Sequence, residues 1–504
     1  MRDGIIQTLL APVYDVAKQS PLDKASKLSA QLGSEVYLKR EDLQSVHSFK
    51  LRGAYNKIAQ LSRAEQQKGV ITASAGNHAQ GVALAANKLG LSALIVMPRT
   101  TPQIKVDAVA SWGAEIELVG DSYSDAAGYA HKIIEKTGRT FIHPFDDPMV
   151  IAGQGTIGRE IVEQLANVTH IFVPVGGGGL LAGIAQYVKA IRPEVRIIAV
   201  EPEDSCVMHD SLRAGKRVML PHVGVFADGV AVRQAGKHTF AIAQQYVDES
   251  ITVTTDEMCA AIKSIFEDTR SIVEPAGALG VAGMVAYARE HDVSHAVMVA
   301  INSGANMTFE RLQYISERTL IGSGKEAVYS VELAEKPGSL QYFCEHVVNG
   351  HNITQFGYRL NSRDKATALV GIGVSGDEGR QAFSSKMREH GYKHQDLTDE
   401  NIAKDHVRHM IGGSAAMANN EHFYRILFPE RPNALSDFLS AVSSQWNISL
   451  FHYRGQGADA GSVLIGFEVK DKSTLEKALQ ETGYQWSVID GSASIESFIA
   501  SVKL

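Results

Sequence analysis

Along the N-terminal part of the chain, short β-branched and apolar runs alternate with segments of helical period. The runs at 35–39, 69–72, 93–97 and 115–119 predict strands, and the segments at 54–61, from the 74–81 stretch on through Ala86, and at 103–111 predict helices. A second such series opens near Gly153, with strands at 171–175, 196–201 and 296–301 and a helix at 180–190. Strands that alternate with helices in this way predict parallel α/β sheets covered on both sides. In such sheets the functional loops sit at the carboxyl ends of the strands.

Beyond residue 320 the pattern changes. Gly322-Ser323-Gly324-Lys325 reads as a linker, and the C-terminal stretch after it repeats itself. Pro337-Gly338-Ser339-Leu340 matches Pro432-Asn433-Ala434-Leu435, Asn352-Ile353 matches Asn447-Ile448, and Leu369 with Gly371 matches Leu464 with Gly466. Every one of these pairs is 95 residues apart. The spacing predicts two copies of a small α+β unit, each running strand, turn, helix, strand, strand, helix, strand. The organisation expected is a catalytic part over 1–320, a linker at 321–327, one repeat at 328–400, a connector at 401–420 and the second repeat at 421–504.

Composition narrows the function classes. The chain has 504 residues, 44% hydrophobic and 21% charged, with a formal net charge of −7 and no Lys/Arg-rich block. That balance argues against a nucleic-acid partner. Cys206, Cys259 and Cys344 are far apart and form neither a CxxC pair nor a disulfide framework, which suits a reducing cytosol. The N-terminus lacks the apolar run and cleavage site of a signal peptide, and the most apolar stretch, 82–98, is broken by Asn87, Lys88 and Gly90. These features predict a cytoplasmic protein with no membrane span.

Four stretches carry candidate chemistry. In Ser48-Phe49-Lys50-Leu51-Arg52-Gly53-Ala54 a lysine lies between apolar neighbours. Desolvation there disfavours the ammonium and frees the amine as nucleophile or base, although a surface lysine at a helix start has the same local pattern. Gly176-Gly177-Gly178-Gly179-Leu180 joins a strand to a helix, where backbone N–H groups can wrap an anion. The same window fits a dinucleotide fingerprint, Gly177-x-Gly179-x-x-Ala182 with Glu201 at the end of the next strand, so this window alone leaves a nucleotide site open. Ser74-Ala75-Gly76-Asn77-His78 also joins a strand to a helix. Ser74 is a natural N-cap, Asn77 offers both donor and acceptor, and His78 reads as a hydrogen-bonded wall residue. In Asn302-Ser303-Gly304-Ala305-Asn306, Ser303 is either a plain loop serine or a hydroxyl aimed at a ring nitrogen.

Together these four motifs, in their order along the chain, resemble the signature of fold type II pyridoxal-phosphate enzymes, the serine/threonine dehydratase branch above all. The duplicated C-terminal half resembles the paired ACT-like regulatory domains of biosynthetic threonine deaminases. The dinucleotide alternative explains one window and leaves Lys50, the Asn77 loop and Ser303 without a role. The resemblance implies a tryptophan-synthase-β-like catalytic fold followed by two ferredoxin-like ACT-like domains. It implies pyridoxal 5′-phosphate held by Lys50 as a Schiff base, its phosphate on the amides of Gly176, Gly177, Gly178, Gly179 and Leu180, its 3-oxygen on Asn77 and its ring nitrogen on Ser303. Ser74, Ala75, Gly76, Asn77 and His78 would grip the substrate carboxylate, with Glu274 and Gly229 lining the site. It further implies L-threonine (and L-serine) as substrate, isoleucine and valine as effectors near Pro337, Gly338, Ser339, Leu340, Pro432, Asn433, Ala434 and Leu435, a homotetramer, and no metal ligands. Related alternatives are a serine racemase, a β-replacing synthase, or an amino-acid sensor that has lost turnover.

Overall fold

The computed structural model describes residues 2–334, 339–360, 365–409, 420–429, 438, 442, 446–454 and 460–495. It divides into two compact units, 1–309 and 310–504.

The first unit holds ten strands: β1 (Leu22–Lys24), β2 (Glu35–Arg40), β3 (Val70–Ala73), β4 (Ala93–Met97), β5 (Glu115–Leu118), β6 (Thr140–Phe141), β7 (His170–Pro174), β8 (Arg196–Pro202), β9 (Glu249–Val253) and β10 (Val297–Asn302). They form a six-stranded sheet in the order β1-β2-β10-β7-β8-β9 and a four-stranded sheet in the order β5-β4-β3-β6. All pairings are parallel except β1 with β2. The central strands are buried end to end, as parallel strands covered by helices on both faces must be. Ile171, Val173, Ile197, Val299 and Ile301 of the large sheet pack on Leu181, Ile184 and Val188 of the helix Gly179–Ile191.

The sequence pattern reads as two successive α/β series. The structure interleaves them instead. The early strand β2 joins the large sheet beside β10, with Leu38 opposite Ala300 and Lys39 opposite Ile301. That pairing brings the Lys50 stretch to the carboxyl end of β10, where Ser303 lies. Four further contacts tie the two together: a bridge between Ser48 and Gly304, Phe49 N–H to Ser303 O at 3.2 Å, Ala305 N–H to His47 O at 2.9 Å, and Asn306 Nδ2 to Val46 O at 2.7 Å.

The second unit repeats one motif. Strands β11 (Glu326–Ala334), β12 (Ile353–Leu360), β13 (Lys365–Gly373) and β14 (His394–Asp396) form a sheet in the order β12-β13-β11-β14. Strands β15 (Glu421–Pro429), β16 (Asn447–Arg454), β17 (Ala460–Glu468) and β18 (Gln485–Val488) form another in the matching order β16-β17-β15-β18. The correspondence reaches single residues. Each copy has a register irregularity in its second strand, at Thr354 and at Ser449, and in each the hydroxyl crowds a glycine on the next strand, Gly371 or Gly466.

The helix Arg311–Gly322 groups with this second unit. Arg318 Nη1 and Tyr314 Oη both lie 3.1 Å from Asp405 Oδ1, which pins the helix to the start of the connector. The segment 321–327 therefore contains the end of that helix and the start of β11. The described part of the connector is packed rather than loose: Ile402, Ala403 and Val407 share a core with Val328 and Leu369 of the first copy and Phe423 and Leu464 of the second. No helix among the described residues is long and apolar enough to cross a membrane.

Candidate active site

Lys50 opens the helix Lys50–Ala59. Its Nζ lies 3.5 Å from the Pro144 carbonyl and 5.2 Å from the centre of the Phe49 ring. Burial pushes the amine down to about 8, against the pull of the Glu274 carboxylate. A substantial neutral fraction near pH 8 is what a nucleophile or base needs.

Facing it is the start of the helix Asn77–Leu89. Its N-cap is Gly76, and no side chain caps it. Ser74 is therefore not the cap its position suggested: it lies two residues upstream of the N-cap, and its Oγ accepts the Gly76 N–H at 3.3 Å. The first N–H groups of this helix are thus left without a side-chain cap and form an anion-binding end. His78 is a wall residue, its Nε2 donating to Ile142 O at 2.9 Å. Burial, reinforced by the Lys50 charge, pushes it down to about 3, so it stays neutral.

The glycine run enters the helix Gly179–Ile191. Gly178, the N-cap, has φ +94°, which a side chain rarely adopts. A Cβ at Gly177 would run into the Phe145 ring. Thr239 Oγ1 donates to Gly177 O at 2.6 Å and holds the turn from behind. Leu180 is buried in the core below. The result is an uncapped helix end with a backbone-lined cradle, shaped for a phosphate. Glu201, the acidic residue of the dinucleotide alternative, is buried away from solvent and accepts the Met208 and His209 N–H groups at 3.0 and 2.7 Å. Those backbone partners occupy the carboxylate that a ribose would require.

Ser303 is buried beside this cradle, its hydroxyl donating to Ala276 O at 3.3 Å. Glu274 is also buried, and its Oε1 accepts from Asn77 Nδ2 at 2.6 Å. Gly229 joins them: a methyl built there would sit 3.5 Å from Glu274 Oε1. The structure thus gathers Lys50, Asn77, Glu274, Gly229, Ser303 and the glycine run around one site. Phe145 and Thr239, which shape the glycine turn, carry no local signal in the sequence.

These residues fit pyridoxal phosphate: a desolvated lysine, a phosphate cradle that side chains would fill, an amide and a neutral hydroxyl. A fold of two α/β layers with that site defines a pyridoxal-phosphate-dependent enzyme. Residues 13–304 match that family, and residues 317–407 and 412–499 match the C-terminal regulatory domain of threonine dehydratase. The chain is 50% identical over 490 residues to a biosynthetic L-threonine dehydratase from Burkholderia multivorans, covering 96% of each. It is 49% identical to the biosynthetic, chloroplastic threonine dehydratase of Arabidopsis thaliana, covering 95% of this chain and 81% of the relative. Among solved structures, the processed form of threonine deaminase isoform 2 from Solanum lycopersicum aligns with TM-score 0.62 and 51% identity, over 63% of this chain and 87% of that one. Maize serine racemase aligns with TM-score 0.59 at 33% identity, over 63% and 97%. The chain belongs to the biosynthetic threonine dehydratase family, lyases that depend on pyridoxal phosphate.

Of the expected effector positions, Pro337, Gly338, Pro432, Asn433, Ala434 and Leu435 lie outside the described residues. Ser339 and Leu340 open the helix Ser339–Phe343, and Ser339 Oγ is buried with no hydrogen-bond partner among the described residues.

Proposed function

We propose that this chain dehydrates and deaminates L-threonine to 2-oxobutanoate and ammonia, and L-serine to pyruvate. It serves as the first committed step of isoleucine biosynthesis in the cytoplasm, as a homotetramer inhibited by isoleucine and relieved by valine. The observation that carries the chemistry is the convergence of Lys50, the Asn77 helix start, the glycine cradle and Ser303, which lie far apart in sequence.

Bound pyridoxal phosphate supplies the electron sink for the pair left when the substrate Cα–H bond breaks. Every other task falls to the chain. Lys50 would anchor the cofactor, and its amine, freed when substrate binds, would be placed to take the Cα proton. The amides of 176–180 would hold the phosphate, and one Asn77 N–H would face the ring 3-oxygen. Ser303 would offer the ring nitrogen a neutral hydroxyl rather than a carboxylate, which would favour elimination of the Cα proton and the β-hydroxyl, together one water, over transamination or racemisation. The 74–78 loop, with its uncapped helix end, grips the substrate carboxylate.

The test is 2-oxobutanoate release from L-threonine with added pyridoxal phosphate, with and without L-isoleucine. Turnover that isoleucine suppresses supports both halves of the reading. Turnover indifferent to isoleucine removes the feedback assignment, and a cofactor-loaded chain without turnover removes the lyase.

A further inference from the structure

Asn306 closes the motif that carries Ser303. Its Nδ2 donates to Val46 O at 2.7 Å and to Asn77 Oδ1 at 2.6 Å. A backbone carbonyl only accepts, so the Asn306 atom facing Val46 must be the nitrogen. An amide nitrogen has two hydrogens, and these two contacts use both. The Asn77 atom facing Asn306 must then be its oxygen. That forces Asn77 Nδ2 toward Glu274, where it donates to Oε1 at 2.6 Å. One Asn77 N–H remains. The amide orientation of Asn77 is thus dictated, through Asn306, by the backbone at Val46.

We propose that Asn306 is a positioning residue for the cofactor site: it locks the Asn77 amide so that an N–H, and not the carbonyl, faces the ring 3-oxygen. This role rests on the cofactor placement under Proposed function. A free Asn77 could present its carbonyl to the oxygen, and two oxygens facing each other repel. Glu274 favours the same orientation as a second acceptor, and Gln at that position retains an acceptor.

The chromophore formed between Lys50 and the cofactor reports the lock. Its protonation midpoint responds to the N–H at the 3-oxygen, because a donor there stabilises negative charge on that oxygen. The ionisable groups that interact with Lys50 are Glu274, which acts on it as an anion, and His78 and His143. Both histidines are pushed down by burial, His78 to about 3; Asp146 and Asp147 act on His143 in the opposite direction.

The experiment compares the holoenzyme with N306L and N306S, either of which suffices if it folds, and repeats each in an N77A background. The readouts are the pH midpoint of the visible absorption band and the apparent dissociation constant for pyridoxal phosphate. The expected result is a midpoint raised by about half to one pH unit and roughly tenfold weaker cofactor binding, the scale of one hydrogen bond. In N77A the same changes at 306 should add nothing further, because contacts that act through a shared partner are not additive. Unchanged midpoint and affinity in the 306 variants would overturn the role of Asn306 and leave the cofactor placement intact. A shift that persists undiminished in N77A overturns it as well. A wild-type chain that forms no Lys50-linked band overturns the cofactor placement itself.

Discussion

Lys50 and Arg52 sit two residues apart on one helix, yet their surroundings are opposite in kind. Arg52 is fully buried and fully partnered: Glu41 at 2.8 Å, Glu160 at 2.6 Å, Thr156 Oγ1 at 3.0 Å and the Lys18 carbonyl at 3.0 Å. Lys39 closes the cluster on Glu160 at 2.7 Å. Burial alone would raise the Glu160 carboxyl, but Arg52 and Lys39 outweigh it and hold the group below its usual range. The Lys50 amine instead reaches a carbonyl at 3.5 Å, a long and weak contact. A buried charge with complete partners stays charged and stiffens the scaffold, whereas one with sparse partners shifts its pKa and becomes reactive. Two residues, just over half a helical turn, thus separate the anchor from the reagent.

Four experiments probe that contrast. The largest effect belongs to Lys50→Ala, which should cut 2-oxobutanoate formation by about 100- to 10,000-fold while leaving the far-UV circular dichroism of the chain unchanged. Next comes Arg52→Met. It takes the guanidinium from two buried carboxylates, leaving, among the described residues, Glu160 with Lys39 alone as its cation and Glu41 without an ion pair, and should destabilise the first unit by about 3–5 kcal/mol. Of the three tryptophans only Trp112 lies in that unit, so its fluorescence during urea unfolding, in a chain lacking Trp446 and Trp486, reads the loss. A loss below about 1 kcal/mol would mean that the cluster does not anchor this helix.

Gly177→Ala tests the cradle. The added methyl meets the Phe145 ring, and the displacement should cost about 1–3 kcal/mol in cofactor affinity, read by titration with pyridoxal phosphate. Phe145→Leu in the same chain should recover part of it. The smallest effect is a pH dependence. Lys50 titrates near 8 in the folded apoprotein and at 10.5 in an ordinary setting. Between those values the unfolded chain holds more protons than the folded one, so stability rises with pH across the window. Below about 8 both states are charged and the folded state bears the whole cost. The stability difference between apo wild type and apo Lys50→Met should therefore be largest below pH 8 and fade toward pH 10.5. A difference that is flat across that range falsifies the desolvated-amine account.

Much of this was legible in the chain itself. β-Branched runs located most strands of the first unit to within a residue or two, because burial on both faces of a parallel sheet demands continuous apolar character. The 95-residue offset revealed the duplicated unit, and the glycine run marked a tight strand-to-helix turn, because φ near +94° at Gly178 excludes most side chains. These are local requirements, and local requirements are written in local sequence.

What the tertiary structure alone decided depends on pairs remote in the chain. Nothing near residue 35 says that β2 lies beside β10, yet that pairing sets Lys50 against Ser303. Asn77 is oriented by Glu274 and Asn306, which are 197 and 229 residues away. The cap of the Asn77 helix is Gly76, not the Ser74 that local sequence favours. Register between distant strands and the direction of an amide are fixed by packing and by which hydrogen-bonding atoms meet. A one-dimensional pattern contains the groups but not their meeting.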